Sequence, residues 1–168
     1  VIAILDAAYS GEASVAACLT AEDWPSAAPI AEFTHRAGQA EAYASGQLYR
    51  REMPLLMSVL AMLPERPRVI VIDGYVWLDA DGRKGLGAHL FETLRGRTAV
   101  VGLAKTRFAG AEQWVEQVVR GNGANPLWVT AAGITLSEAV AGVKRMHGTS
   151  RIPTLVGRVD QLARKTLG

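Results

Sequence analysis

The sequence holds a single cysteine, Cys18, among 168 residues. An internal disulfide and cysteine-based zinc sites are therefore excluded, and the core must hold by packing alone. Cys18 lies in an apolar stretch and is expected to be a buried strand residue of a protein of the reducing cytoplasm. Long apolar runs are missing as well. Val69-Ile-Val-Ile72 stops at Asp73 and Ala99-Val-Val-Gly-Leu-Ala104 stops at Lys105, both far below the ~20 residues that cross a bilayer. The opening Val1-Ile-Ala-Ile-Leu5-Asp6 carries no basic stretch and reads as a strand rather than a leader. Charge of one sign is scarce, with 18 Lys+Arg against 16 Asp+Glu, so any nucleic-acid partner must be met by local clustering. The composition of disorder is also absent. At 49% hydrophobic and 20% charged, residues 1–168 read as one domain able to bury a core.

What is present is an ordered alternation of elements. Val1–Asp6, Ser14–Thr20 and Pro29–Thr34 read as strands at spacings that favour an antiparallel meander, separated by Ser10-Gly11-Glu12 and by Glu22-Asp23-Trp24-Pro25-Ser26. Pro54, with no N–H to lose in a first turn, predicts a helix start, and Leu55, Leu56, Val59, Leu60 and Leu63 recur at helical spacing before Pro64. Arg68–Asp73 is apolar on both faces, as a central strand covered on both sides must be. A polar loop follows, Asp79-Ala-Asp-Gly-Arg-Lys-Gly85, whose glycines lack the spacing of a phosphate loop. Beyond it the pattern predicts a helix over 86–94, a strand over 98–104, a helix over 111–119, a strand over 127–130, and helices over 136–146 and 153–167. Three strands followed by alternating helices and strands argue for one mixed α/β sheet with helices packed on it.

Three carboxylates stand out by position: Asp6 at the end of the first strand, Glu52 just ahead of the first helix, and Asp73 at the end of the central strand. If the first and central strands are parallel neighbours, Asp6 and Asp73 emerge side by side at their carboxyl ends, where sites gather in open α/β sheets. Adjacent carboxylates repel and desolvate one another unless a hard cation lies between them, so the pair suits Mg²⁺ or Mn²⁺, with Glu52 as a third ligand or as the group that orients water. A single strand-end Asp serves a turn or a helix cap equally well, and the order of the three acids in the chain carries more weight than any one of them.

That order comes with recognisable surroundings. Leu5-Asp6-Ala-Ala-Tyr9 is similar to an Asp-x-x-Tyr motif. Tyr43-Ala-Ser-Gly46-Gln-Leu48-Tyr-Arg-Arg51-Glu52-Met-Pro54 is similar to Tyr-x-Pro-Gly-x-Leu-x-x-Arg-Glu-x-Pro, with Ser45 in place of the first proline. Val71-Ile72-Asp73-Gly74, Leu86-Gly-Ala-His89-Leu90 and Val101-Gly-Leu-Ala-Lys105 follow in the right order. Together they resemble the endonuclease V family. The resemblance implies a ribonuclease-H-like fold, in which three antiparallel strands and then parallel strands form a mixed sheet flanked by helices. It implies Asp6, Asp73 and Glu52 at a Mg²⁺ or Mn²⁺ site, and Asp6, Glu52, Asp73 and Lys105 as the catalytic group. Tyr43, Gly46, Arg51 and His89 would contact nucleic acid, a DNA or RNA containing inosine. Tyr75, an aromatic in the run after Asp73, could stack on a base, and the short apolar runs and lone cysteine point to the cytoplasm without a membrane partner. Two departures are clear. In the loop after Asp73 the family carries two histidines, and this chain reads Gly74-Tyr75-Val76-Trp77-Leu78-Asp79-Ala80-Asp81. Where the family continues from its later strand into a Gly-His step, this chain reads Ala131-Ala132-Gly133-Ile134. That loss keeps open an alternative, a relative that binds nucleic acid without cutting it.

Overall fold

The computed structural model describes residues 1–38 and 48–168. Period-two patterning builds the first layer: β1 (Ile2–Ser10), β2 (Ala13–Ala21) and β3 (Ala31–Ala37) pair antiparallel in sequence order. β4 (Val69–Asp73) then joins β1 in parallel, with Leu5 opposite Ile72, and β5 (Ala99–Ala104) joins β4 in parallel, with Leu103 opposite Asp73. β7 (Leu127–Ala132) returns antiparallel to β5, and β6 (Glu116–Val118) closes that edge. The sheet runs β3-β2-β1-β4-β5-β7-β6.

Alternate residues of the central strands feed two cores. Ile4, Leu19, Val71, Val101 and Val129 pack beneath α3 (Leu136–Arg145) and α4 (Thr154–Leu167). Leu5, Cys18, Ile70, Ile72 and Val100 pack beneath α1 (Leu48–Leu60) and α2 (Leu86–Thr93). Each fully buried Val, Leu or Ile contributes roughly 1.5–3 kcal/mol of transfer free energy. Cys18 is buried and free, as its apolar setting implies, and burial pushes its thiol up to about 12. α3 starts at a capping box in which the Thr135 hydroxyl accepts from the Glu138 N–H at 3.1 Å and Glu138 accepts from the Thr135 N–H at 2.8 Å, a cap worth about 1 kcal/mol.

The structure corrects three expectations. The helix expected over 111–119 is instead a 3-10 turn, Glu112–Trp114, followed by β6, where Val118 is fully buried and Val119 is 62% exposed. That inside-outside alternation is the pattern of a strand, and it covers the otherwise unpaired edge of β7. α1 begins before Pro54, which lies inside it, so Arg51 and Glu52 are helical residues rather than residues ahead of a helix; the helix ends at Leu60, short of Leu63. β1 also continues past Asp6 to Ser10, although its pairing with β4 stops at Leu5.

Gly74 and Gly102 allow the chain to leave β4. Gly74 takes φ 127°, and a Cβ on Gly102 would lie 2.5 Å from both the Gly74 carbonyl oxygen and the Thr130 hydroxyl. The segment after Asp73 therefore crosses directly over β5 and is pinned there by the Val76 N–H, which donates to Thr130 Oγ1 at 2.8 Å.

Candidate active site

Strand parity places the acids. Asp6 alternates with Ile4, and Asp73 with Val71, both on the sheet face covered by α4. Because Leu5 pairs with Ile72 in parallel register, the next residues on the two strands are Asp6 and Asp73, which share a recess with Lys105, Val156 and Val159. Lys105 follows β5 with the same parity as Leu103, and its Nζ donates to Asp73 Oδ2 at 2.8 Å. Glu52 approaches from α1, on the opposite face, and meets the other acids at the open edge, where Asp6, Glu52 and Asp73 line one cleft of about 550 Å³.

Their mutual field is strong. Burial pushes the Asp6 carboxyl up to about 6, an effect offset in part by the Ala7 N–H donating to Oδ1 at 2.8 Å and reinforced by Asp73 and Asp160. Glu52 is pushed up to about 7 by burial and then by the charges of Asp6 and Asp73. Partial burial works against the Lys105 cation, but its hydrogen bond to Asp73 and the charges of Asp73, Asp6 and Asp160 hold it above its ordinary value. All the donors are hard carboxylate oxygens, a set that fits Mg²⁺ or Mn²⁺, and a dication would relieve the repulsion that raises Asp6 and Glu52. Among the described residues no three His, Cys, Asp or Glu side chains form a closed cation cage, and one Asp73 oxygen is held by Lys105.

The sequence pattern offers no motif at Asp160. It lies close enough to Asp6 to raise that carboxyl and accepts from Arg164 Nε at 2.8 Å. A signal exists in hindsight: Leu155, Val159 and Ala163 form the buried stripe of α4, and Asp160 stands at its border, four residues after the partly buried Val156. An acid at that position is drawn toward the sheet edge rather than into solvent.

The cleft walls are aromatic and apolar. Arg51 places its guanidinium 3.9 Å from the centre of the Tyr9 ring, beside Glu52. Tyr49 lines the cleft and stacks on His89 at 3.7 Å between ring centres, with 13° between planes. His89 therefore backs Tyr49 and is not itself among the cleft-lining residues; partial burial and then Lys84 hold its imidazole below the ordinary value. Tyr75 contributes to the wall but is only 8% exposed. Its hydroxyl donates to the Thr106 carbonyl at 2.8 Å and accepts from the Phe108 N–H at 2.9 Å, so it secures the chain that follows Lys105. Tyr43 and Gly46 lie outside the described residues.

The missing histidine step falls elsewhere. Ala132 pairs with Val100, which is level with Ile70, three residues before Asp73 on β4. At 3.3 Å per residue that is about 10 Å back along the sheet. Gly133 lies beside Phe91 and Ala99, further still from the acids. The segment Ala131–Gly133 is thus remote from the carboxylates, and its lack of histidine removes nothing from their cluster.

Comparison with known proteins adds a second line of support. The family model described as endonuclease V matches residues 1–130. An endonuclease V from Streptomyces coelicolor is 31% identical over 183 aligned positions, covering 97% of this chain and 77% of that protein. A solved endonuclease V from Streptomyces avermitilis superposes with a TM-score of 0.78 at 26% identity, over 99% of this chain and 80% of that one. The Ciona intestinalis endonuclease V, solved with a 24mer DNA containing an inosine followed by a ribo-adenosine, shares the fold with a TM-score of 0.80 at 21% identity, covering 99% of this chain and 85% of that one. The fold is therefore the ribonuclease-H-like mixed sheet that the sequence motifs implied. The family match spans the segment that carries Asp6, Glu52, Asp73 and Lys105, and the chain belongs to the endonuclease V family.

Proposed function

We propose that this chain is a metal-dependent nuclease that hydrolyses a phosphodiester bond near a deaminated purine, inosine, in DNA or RNA. The observation that carries the reading is the convergence of Asp6, Asp73 and Lys105 at the mouth of a cleft lined by Glu52 and closed by apolar and aromatic walls. Asp6 and Asp73 would hold Mg²⁺ or Mn²⁺, with Asp160 and Glu52 next to them. A bound cation supplies charge neutralisation on the phosphate and a more acidic water. Glu52, which lines the cleft beside Asp6 and Asp73, would orient the attacking water and take its proton. Lys105 shifts from Asp73 toward the phosphate as charge develops there. The cleft beside them is large enough for a nucleobase, and the inosine-containing DNA bound by the Ciona relative supports the choice of lesion. No helix among the described residues is long and apolar enough to cross a membrane.

The test is a nicking assay. Purified protein with Mg²⁺ or Mn²⁺ should cut inosine-containing DNA or RNA strands and spare adenosine controls, and Asp73→Ala should abolish cutting. Binding of the inosine strand with no cutting above the Asp73→Ala background would favour the non-catalytic binding relative instead.

A further inference from the structure

Tyr9 faces two groups of the cleft at once. It follows Leu5 and Ala7 on the α1 side of β1, opposite Ser14 on β2, and its ring packs against the core formed by Leu5, Cys18 and Leu55. One ring face carries the Arg51 guanidinium at 3.9 Å, close enough for a substantial cation–π attraction in a site largely screened from water. The hydroxyl is buried, finds no well-formed hydrogen bond among the described residues, and lies beside the Glu52 carboxylate. The Arg51 Nε is likewise buried without a hydrogen-bond partner among the described residues.

The helix receiving these contacts needs them. Pro54 lies inside α1 and has no N–H to bond the carbonyl four residues back, so the turn bearing Arg51 and Glu52 is short of one backbone restraint. The tie that replaces it comes from another element, the central hairpin strand that also carries Asp6.

We infer that Tyr9 is a positioning residue for this turn of α1, its ring seating Arg51 and its hydroxyl orienting Glu52 toward Asp6 and Asp73. The inference rests on the reading of Glu52 as part of the active site. Tyr9 touches neither phosphate nor cation and acts through its two neighbours.

Two variants separate its two roles. Tyr9→Phe keeps the ring and removes the hydroxyl, and Tyr9→Leu removes both. In metal-free protein labelled at arginine side-chain nitrogens and glutamate carboxyls, the Arg51 Nε–H signal should show a ring-current shift in the parent and in Tyr9→Phe and lose it in Tyr9→Leu. The Glu52 carboxyl signal should move in both. With an inosine-containing oligonucleotide, Tyr9→Phe should lower kcat roughly tenfold, because Glu52 loses its buried polar neighbour, with KM unchanged. Tyr9→Leu should raise KM as well. A parent-like Glu52 signal and kcat in Tyr9→Phe, or a parent-like Arg51 signal in Tyr9→Leu, would overturn the inference. If the parent itself fails to cut, the nuclease reading falls, and the two spectral signals still decide whether Tyr9 positions these side chains.

Discussion

Lys105 donates to Asp73 at 2.8 Å across the parallel strand pair β4 and β5. Both side chains are about 40% exposed, so the pair adds at most about 1 kcal/mol to stability. Its value lies in chemistry. Lys105→Met should therefore leave Tm within a few degrees of the parent while cutting kcat by roughly 10²–10³, as loss of a charge-stabilising donor does. A fall in Tm accompanied by unchanged cleavage would reassign the pair to a structural role.

Asp160→Ala removes the carboxylate beside Asp6 that helps to raise it. Cleavage should fall at least tenfold, with the largest loss at limiting Mg²⁺, because a neighbouring oxygen donor is gone. Raising the Mg²⁺ concentration should recover part of the rate. Titration of cleavage against Mg²⁺ for parent and variant reads this directly, and superimposable curves would exclude Asp160 from the site.

The raised carboxyls make the metal-free protein sensitive to pH. Asp6 at about 6 and Glu52 at about 7 hold protons more tightly folded than unfolded. Their contribution is therefore fully present below the ordinary carboxylate range and is lost as pH rises through 6 and 7. Tm in the presence of a chelator should fall between pH 5 and pH 8, and Glu52→Gln should flatten part of that fall. Adding Mn²⁺ at pH 8 should restore stability, since a ligand that binds only the folded state adds to it. Thermal scans with and without chelator check all three outcomes.

Arg151 fixes the chain from which Lys105 emerges. Its guanidinium donates to the Lys105 carbonyl and, at 3.0 Å, to the Pro126 carbonyl. Arg151→Leu leaves both oxygens without this donor and should cost about 1–3 kcal/mol of stability. Cleavage measured at a temperature where the variant is fully folded should also fall, because Lys105 loses its anchor. Arg151→Lys should recover part of both stability and rate, since a single nitrogen, Nη2, meets the two carbonyls and an ammonium also carries several donors.

Much of this fold is legible in the chain because β4 and β5 are short apolar runs that only a doubly covered strand accommodates, and because their ends coincide with Asp73 and Lys105. The 112–118 segment resists reading for the opposite reason. Its apolar residues are too few to separate a helix from a strand, and the outcome depends on the open edge of β7, which the local sequence does not reveal. Pro54 misleads in a similar way, since tertiary contacts carry α1 past a residue that ordinarily marks a first turn. At the site, Asp6, Glu52, Asp73 and Lys105 announce themselves by strand-end or motif position. Asp160 does not, because an acid on a surface helix looks ordinary until α4 is laid against β1.

The parity of Asp6 and Asp73 restricts how this sequence can change. Each strand turns alternate residues to opposite faces, so a one-residue deletion between Ile2 and Leu5, or between Val69 and Ile72, would exchange the faces of everything beyond it if the strand held its register. Sliding by one residue would return the carboxylate to its face, but only by turning the apolar residues ahead of the deletion out of their own core. Length variation in relatives that keep both acids should therefore collect in the 79–85 loop and in the turns, with the residue count upstream of each acid within its strand unchanged.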